Sequence, residues 1–330
     1  MDREQFQSEL RALPKSDLHV HFEGSVSWET LNELARRHGV NLTAPVRIGE
    51  GQVSPPPAIT LGRPSFRNFQ DFIGYYLKIS ETIRTADDCV TVGHHYLEQA
   101  RAQSISATDM YFTPTTFAQL GHDLPNLFQG LLAAQQLATT KYGMTINWIF
   151  DIVRNGKETG EETLEYALTA RQMGVKLKAI GLAGDERARP ANVFRDAFAR
   201  ARKHGFETLA HCGETLGVES IRDTISCLQP SRIGHGLHVL TDERLVDQVK
   251  RESIIIEVAP WSNILLGIST PATHPLREMI TAGLPVVISA DDPGIFGKDL
   301  VENYLFAVDQ GIPLPELREV AKRSLEHSLC

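Results

Sequence analysis

The chain has 330 residues, 42% of them hydrophobic and 22% charged, which is enough to bury a large core, and we expect one domain over residues 1–330. The formal net charge of -8 argues against a nucleic-acid partner, because proteins that bind phosphate backbones usually carry a basic surface. No apolar run approaches membrane-spanning length, and the charged start Met1–Phe6 lacks the apolar core of a secretory signal, so we expect a cytoplasmic protein.

The sequence predicts eight β-strands separated by amphipathic helices. The predicted strands lie near residues 16–22, 108–112, 145–153, 176–182, 208–212, 232–235, 254–258 and 286–290. Predicted helices include residues 27–37, 127–142, 160–173, 193–204 and 241–252. Eight alternating units predict a (β/α)8 TIM barrel. A doubly wound open sheet is the alternative, and it is disfavoured because no Gly-x-Gly-x-x-Gly turn follows the first strand.

A helical and loop excursion after the first strand interrupts this alternation. Residues 44–65 are rich in proline and glycine, including Pro55–Pro57, and we expect no regular element there. Apolar side chains then recur at helical spacing: Phe66, Phe69, Phe72, Ile73 and Tyr76. We expect the excursion to cover the active site, with this aromatic stripe either lining the pocket or simply packing in the core.

Histidines and a carboxylate stand where predicted strands end. His19 and His21 alternate along the first strand and can face one ion, His211 ends the fifth strand, and Asp291 follows the last. In a parallel barrel these ends converge on one face. Each motif alone is more often an ordinary histidine or a helix cap, but three histidines and one aspartate together leave a position for water, as catalytic zinc sites require.

The four cysteines form no Cys-x-x-Cys pair, so we expect free thiols. They are Cys89, Cys212, Cys227 and Cys330. Cys212 adjoins His211, but strand alternation points it into the barrel wall. We therefore expect Cys212 to pack there rather than to bind metal or act as a nucleophile.

Six motifs, in this order, resemble those of the adenosine deaminase family in the zinc-dependent amidohydrolase superfamily. They are Leu13–Gly24, Gly181–Glu186, His211–Glu214, Arg232–Gly236, Ala259–Asn263 and Ser289–Gly294. The resemblance implies one metal-dependent deaminase barrel, with one Zn2+ per chain held by His19, His21, His211 and Asp291. It also implies that a zinc-activated hydroxide removes the 6-amino group of a small purine substrate as ammonia.

The resemblance implies further roles at the site. Glu214 would donate a proton to ring nitrogen 1, for which burial should raise its pKa, and His235 would orient the attacking hydroxide. Asp292 would bind nitrogen 7, and the backbone N–H of Gly184 would bind nitrogen 3. From the residues alone, Glu214 and Asp292 could instead be helix caps, and His235 and Gly184 could be turn residues.

Position 23 bears on the identity of the purine. The family's nucleoside deaminases commonly carry Asp there to bind the sugar 5′ hydroxyl, whereas relatives that deaminate adenine or 6-aminodeoxyfutalosine often carry Glu, as this chain does at Glu23. The segment Gly181–Glu186 resembles the nucleoside group. We therefore expect adenosine and 2′-deoxyadenosine as substrates, contacted by Glu23 and His21, with adenine or 6-aminodeoxyfutalosine as the alternative.

Two other functional classes are compatible with parts of this sequence. The same barrel and ligands could hydrolyse an ester, lactam or phosphoester. Binuclear members of the superfamily carry a bridging lysine on the fourth strand, whereas Lys176 and Lys178 precede that strand's end, which favours a mononuclear site. A non-catalytic metal-binding protein would be expected to have lost Glu214, His235 or Asp292, and all three are present.

Overall fold

The computed structural model describes residues 2–48, 52–54, 59–60, 63–64, 66 and 68–330. Eight parallel strands form one sheet in chain order. They are β1 Lys15–His21, β2 Ile105–Phe112, β3 Thr145–Val153, β4 Leu177–Ala183, β5 Glu207–Cys212, β6 Arg232–His235, β7 Ile255–Val258 and β8 Val286–Ile288. All eight predicted strands are thus confirmed.

The sheet closes on itself between β1 and the residues that follow β8. The N–H of His21 donates to the carbonyl of Asp291 at 2.9 Å, and the N–H of Asp291 donates to the carbonyl of His19 at 2.9 Å. The sequential strand order and this closure confirm the (β/α)8 barrel and exclude a doubly wound open sheet. Strand β8 ends earlier than predicted, at Ile288, and the chain turns three residues later at Asp291, whose φ is 64°.

Helices surround the barrel and connect its strands. Their bounds are Arg3–Ala12, Trp28–His38, Phe69–Thr82, Ala86–Arg101, Pro114–Gln119, Leu124–Leu137, Glu161–Gln172, Arg195–Lys203, Val218–Leu228, Glu243–Arg251, Pro260–Leu265, Leu276–Thr281, Pro293–Phe296, Leu300–Asp309 and Leu314–Glu326. The predicted helix at 27–37 is Trp28–His38, where the Ser27 side chain accepts the N–H of Thr30 and Gly39 ends the helix at φ 64°. In the part of the chain that the structure describes, no helix has the length and apolar content needed to cross a bilayer.

The excursion after β1 is more regular than expected. Val46–Ile48 pairs antiparallel with Gln52–Ser54, and Ile59–Thr60 pairs antiparallel with Arg63–Pro64. The expectation of no regular element in residues 44–65 is therefore wrong at these positions. A two-stranded ribbon has only edge strands, which tolerate proline. The predicted proline run Pro55–Pro57 lies outside the described residues.

The aromatic stripe is carried by the helix Phe69–Thr82, with one exception. Asn68 caps that helix by accepting the N–H of Asp71 at 3.0 Å, so Phe66 precedes the helix rather than lying on it. The Phe66 ring packs at 5.6 Å from the ring of Phe72 and at 6.1 Å from that of Phe296. The stripe therefore combines helical residues with one residue of the preceding loop.

Candidate active site

The four predicted metal ligands come together at the carboxyl ends of the strands. The ligating atoms of His19, His21 and His211 lie within 4.8 Å of one another, and the Nε2 atoms of His21 and His211 are 3.2 Å apart. Asp291 Oδ1 lies 3.4 Å from His21 Nε2 and 3.7 Å from His19 Nε2. All four side chains are buried. Residues separated by most of the chain thus form one compact donor cluster.

This cluster fits a divalent metal ion. Burial lowers the pKa of His21 to about 3 and holds the pKa of His211 well below its ordinary value, so both rings are neutral at pH 7 and can offer a lone pair. His19 Nε2 is buried and has no hydrogen-bond partner among the described residues, which is costly unless something binds it. Three neutral imidazoles and one carboxylate suit zinc.

The outer nitrogens of two of these histidines are held by hydrogen bonds. His19 Nδ1 lies 2.8 Å from Glu257 Oε2, and His211 Nδ1 lies 2.9 Å from the carbonyl oxygen of Leu182. Glu257 is held in turn by Arg232, whose Nε is 2.6 Å from Oε1. Such contacts fix the ring orientation and leave Nε2 for the metal.

Sequence reasoning missed Glu257 and Arg232. Burial alone would raise the pKa of Glu257, but Arg232 and His19 bring it below its ordinary value, so the carboxylate is charged. Arg232 also donates to Asp109 at 2.6 Å. The available signal was Glu257 inside an apolar strand and Arg232 at the start of another strand, because a charge buried in a barrel wall requires a partner.

Glu214 and His235 face each other beside the cluster. Glu214 Oε1 lies 3.6 Å from His235 Nε2, and burial raises the pKa of Glu214 to about 7. The Asn263 amide donates to His235 Nδ1 at 3.1 Å, so the proton of a neutral His235 ring is on Nε2, toward Glu214. Glu214 can therefore gain or lose a proton near neutral pH beside the His235 ring.

The helix-cap alternatives for the two carboxylates are not what the structure shows. The helix Val218–Leu228 begins after Gly217 with no side-chain cap, so Glu214 does not cap it. Asp292 occupies the N-cap position of Pro293–Phe296, but its side chain makes no capping hydrogen bond. Its Oδ1 is buried and unpartnered among the described residues, and a Cβ on Gly24 would lie 1.7 Å from it. Asp292 Oδ1 thus lies against Gly24, and both Glu214 and Asp292 line the cavity.

The loop that carries Glu214 is held by Glu186, to which the sequence analysis gave no role. The Glu186 carboxylate accepts four consecutive backbone N–H groups, those of Gly213 at 2.9 Å, Glu214 at 2.9 Å, Thr215 at 2.8 Å and Leu216 at 3.3 Å. It also accepts the hydroxyl of Ser220. A carboxylate on a run of N–H groups fixes the backbone, so Glu186 sets the position from which Glu214 reaches the cavity.

Two site residues adopt unusual backbone conformations. His235 has φ 67° and Asp291 has φ 64°, in the left-handed region that residues with a side chain rarely adopt. Strain of this kind persists where the surrounding structure enforces it. Both residues lie at turns that follow barrel strands. The strained backbone at each turn directs the side chain of that residue toward the site.

A cavity of about 390 Å3 lies over the cluster. One wall comes from the excursion helix, through Phe69, Phe72, Ile73, Tyr76 and Leu77. The opposite side is more polar and includes Thr113, Asn155, Gly184, Glu214, His235 and Asp292. Of the two alternatives for the aromatic stripe, lining the pocket is the one that holds for its helical members.

Glu23 occupies a different place from that expected of a sugar ligand. It is fully buried and does not line the cavity. Its Oε1 accepts the N–H of Thr113 at 3.2 Å and also the hydroxyl of that residue, and Thr113 itself lines the cavity. The Glu23 carboxyl thus lies behind Thr113 in this structure. His21, its expected companion, does line the cavity.

The cysteines take no part in this arrangement. All four are free, as expected. Cys212 is fully buried, and burial raises the pKa of its thiol far above the ordinary range, so it stays protonated. It packs in the barrel wall, as strand alternation predicted.

A family model described as adenosine deaminase matches residues 14–330. The chain belongs to the adenosine deaminase family. It is 32% identical to the aminodeoxyfutalosine deaminase of Streptomyces avermitilis, over 97% of this chain and 87% of that protein. It is also 32% identical to an adenine deaminase of Chlorobium phaeobacteroides, over 92% of this chain and 88% of that protein.

Among solved structures, the adenine deaminase of Arthrobacter aurescens superposes with a TM-score of 0.86 at 26% identity, covering 96% of this chain and 94% of that one. The chain is thus a deaminase of the amidohydrolase superfamily, which confirms the predicted fold and reaction type. The names of these relatives match the alternative substrates, adenine and 6-aminodeoxyfutalosine, better than the adenosine expected from the sequence.

Proposed function

We propose that this chain hydrolyses the 6-amino group of a purine and releases ammonia, using one metal ion held by His19, His21, His211 and Asp291. The observation that carries the proposal is Glu214, a buried acid with a pKa near neutrality, which faces His235 and the cavity beside the donor cluster. An acid of this pKa can donate a proton to a weakly basic ring nitrogen at pH 7.

The donor set supports one zinc ion rather than two. Lys178 lies at the beginning of β4, whereas the cluster lies at the carboxyl ends of the strands, so no lysine of β4 is placed to bridge a second ion. When bound, zinc supplies a water molecule whose lowered pKa makes it an effective nucleophile at neutral pH.

The chain's own residues then account for the proton movements and for the orientation of the purine. Glu214 protonates ring nitrogen 1, which draws electrons from carbon 6 and makes that carbon more electrophilic. His235, with its Nε2 proton directed into the site, stabilises negative charge that develops on the attacking oxygen. The attacking water gives up two protons, one that restores Glu214 and one that the 6-amino group takes up. The bond between carbon 6 and the amino nitrogen then breaks, ammonia leaves, and the product keeps the 6-oxygen and the proton on nitrogen 1.

Two groups are placed to bind the far edge of the purine. Asp292 lines the cavity, and burial together with the neighbouring Asp291 raises the pKa of its carboxyl, so we assign the protonated carboxyl as the donor to nitrogen 7. Gly184, at φ 90°, offers its N–H to nitrogen 3. A Cβ at Gly184 would lie 2.5 Å from Asn155 Oδ1, so a side chain there would disturb the cavity wall.

Aminodeoxyfutalosine, a 6-aminopurine nucleoside larger than adenosine, is the substrate that we propose. Cavities of 300 to 1,000 Å3 usually hold ligands larger than a free base, and the apolar wall of the excursion helix offers surface to a bulky substituent. The relative from Streptomyces avermitilis is named for this substrate. Adenine is the second candidate, because the relative from Chlorobium phaeobacteroides and the Arthrobacter aurescens structure are adenine deaminases.

A substrate panel tests the proposal. Ammonia release is measured with zinc-loaded protein on aminodeoxyfutalosine, adenine, adenosine and 2′-deoxyadenosine, and the metal content is determined in the same samples. We expect the highest kcat/KM for aminodeoxyfutalosine. If adenosine is the best substrate, the deaminase mechanism stands and the substrate assignment fails. If no 6-aminopurine reacts, the proposed function is wrong.

A further inference from the structure

Asp151, on β3, is a buried carboxyl without an evident partner. Its exposed fraction is 0%, and neither carboxyl oxygen has a hydrogen-bond partner among the described residues. An isolated buried carboxyl disfavours folding, because it loses its hydration and gains nothing in return. Because Asp151 is nevertheless buried inside the barrel, we expect its carboxyl to gain a partner in another state of the protein.

The group that faces this carboxyl belongs to a metal ligand. Asp151 Oδ2 lies 3.8 Å from Nδ1 of His21, which is itself buried and unpartnered in the described part of the chain. The Nδ1 atoms of His19 and His211 already have close partners, as described above. His21 is thus the one histidine of the cluster whose outer nitrogen is unsatisfied, and Asp151 is the acceptor that faces it.

The neighbouring strand makes room for this carboxyl. Asp151 is in register with Gly181 on β4. A Cβ at Gly181 would lie 2.1 Å from Asp151 Oδ1 and 3.2 Å from Cε1 of Tyr111. Gly181 does not have a positive φ, so glycine is required there for space rather than for backbone conformation. Gly181 and Asp151 are therefore coupled, since the carboxyl occupies the volume that a side chain on β4 would take.

We propose that Asp151 is a positioning residue for the metal site. In the metal-loaded protein His21 donates its Nδ1 proton to Asp151, which holds the ring with Nε2 on the metal and raises its basicity. Gly181 contributes to the same positioning, because any side chain there would displace the Asp151 carboxyl. The inference depends on the proposed function only through the identity of the metal ligands.

Zinc affinity, measured without substrate, tests this inference. Asp151→Ala, Asp151→Asn and Gly181→Ala are made in the full chain, stripped of metal, and titrated with zinc against a chromophoric chelator. We expect Asp151→Ala and Gly181→Ala each to raise the zinc Kd by about 10- to 100-fold. Asp151→Asn should raise the zinc Kd by less, because its amide oxygen can still accept the hydrogen bond from His21. This variant replaces Asp151→Ala in the test if the alanine variant fails to fold.

Ile149→Ala is the matched control. Ile149 lies two residues earlier on β3, in register with Ala179, and packs with Tyr111, Ala179 and Leu209 in one buried cluster. We expect this variant to lower the Tm of the metal-free protein while leaving the zinc Kd unchanged. The metal-free Tm of Asp151→Ala should be unchanged or higher, because an unpartnered buried carboxyl has been removed.

Several outcomes would overturn the inference. It fails if Asp151→Ala and Gly181→Ala bind zinc as tightly as the natural chain, or if Ile149→Ala weakens zinc binding equally, which would indicate general loosening of the barrel. It also fails if the natural chain binds no zinc. If zinc binds as expected and the variants weaken it, but no purine is deaminated, the inference stands and only the proposed function falls.

Discussion

Glu214 is the single residue on which the proposed reaction depends most. Its carboxyl is buried next to His235, and burial raises its pKa to about 7. We expect Glu214→Gln to retain zinc and purine binding while kcat falls by about 100-fold or more, because the amide keeps the size but cannot donate the proton. Steady-state kinetics and zinc content check this expectation. A variant with natural kcat would show that the proton comes from elsewhere.

The pH profile gives a second prediction for the same side chain. Glu214 must be protonated to act, and the protonated fraction falls as the pH rises through its pKa of about 7. We therefore expect kcat/KM to fall about tenfold per pH unit well above neutrality. The measurement covers pH 6 to 9, with zinc content determined at each point. A kcat/KM that rises through pH 7 would contradict an acid role for Glu214.

His211 gives a prediction for the metal cluster. It supplies one of three buried imidazoles, so His211→Ala should lose zinc almost completely. Its ring nitrogen Nδ1 also bonds to the carbonyl of Leu182, and we expect the metal-free variant to unfold at a lower temperature as well. Atomic absorption and thermal unfolding measure the two effects. Full zinc occupancy in this variant would show that the ligand set is wrong.

At the scale of single residues, the sequence predicts the groups that stand at strand ends and misses those that support them. His19, His21, His211 and Asp291 can be found because parallel strands deliver their ends to one face. Glu186 acts across a loop contact that no spacing rule describes. The coupling of Asp151 with Gly181 depends on the register between β3 and β4, which the sequence alone does not fix.

The excursion helix Phe69–Thr82 is the element that shapes the cavity. Ile73 lines the cavity, whereas Ile79 is fully buried in the core. We expect Ile73→Ala to raise the KM for aminodeoxyfutalosine more than the KM for adenine, because only the larger substrate reaches this wall. Kinetics with both substrates check the expectation.

Ile79→Ala is the control on the same helix, with the same chemical change. It should lower the Tm by creating a core cavity and leave the ratio of the two KM values unchanged. If both variants change that ratio equally, the effect comes from general disturbance of the helix, and the proposed contact with the substrate is not supported.

At the scale of elements, strands were predicted better than the excursion. The strands are apolar runs bounded by turns, which is a strong local signal. Two short strand pairs depend on backbone pairing between neighbouring segments, namely 46–48 with 52–54 and 59–60 with 63–64. In a segment rich in proline, no pattern of apolar residues marks such strands. Phe66 follows the helical period but precedes the Asn68 cap, because periodicity alone does not locate a helix terminus.

The barrel as a whole closes through the metal-site residues themselves. The hydrogen bonds that join β1 to the end of β8 involve His19, His21 and Asp291, so the ligands of the proposed ion also form the seam of the barrel. An ion held by these residues would join the two sides of this seam in the folded state only, so metal binding should stabilise the fold. At free zinc 100 times the Kd the expected gain is about 2.7 kcal/mol, which thermal unfolding with and without zinc would detect. Identical Tm values with and without zinc would show that the metal does not stabilise the fold.

A zinc titration of the metal-free protein tests most directly whether one zinc ion per chain makes this barrel a purine deaminase. Ammonia release from aminodeoxyfutalosine and from adenine is followed as zinc is added. We predict no activity without metal and a linear rise that ends at one equivalent of zinc per chain. Activity in the metal-free protein, or a rise that continues to two equivalents, would contradict the account.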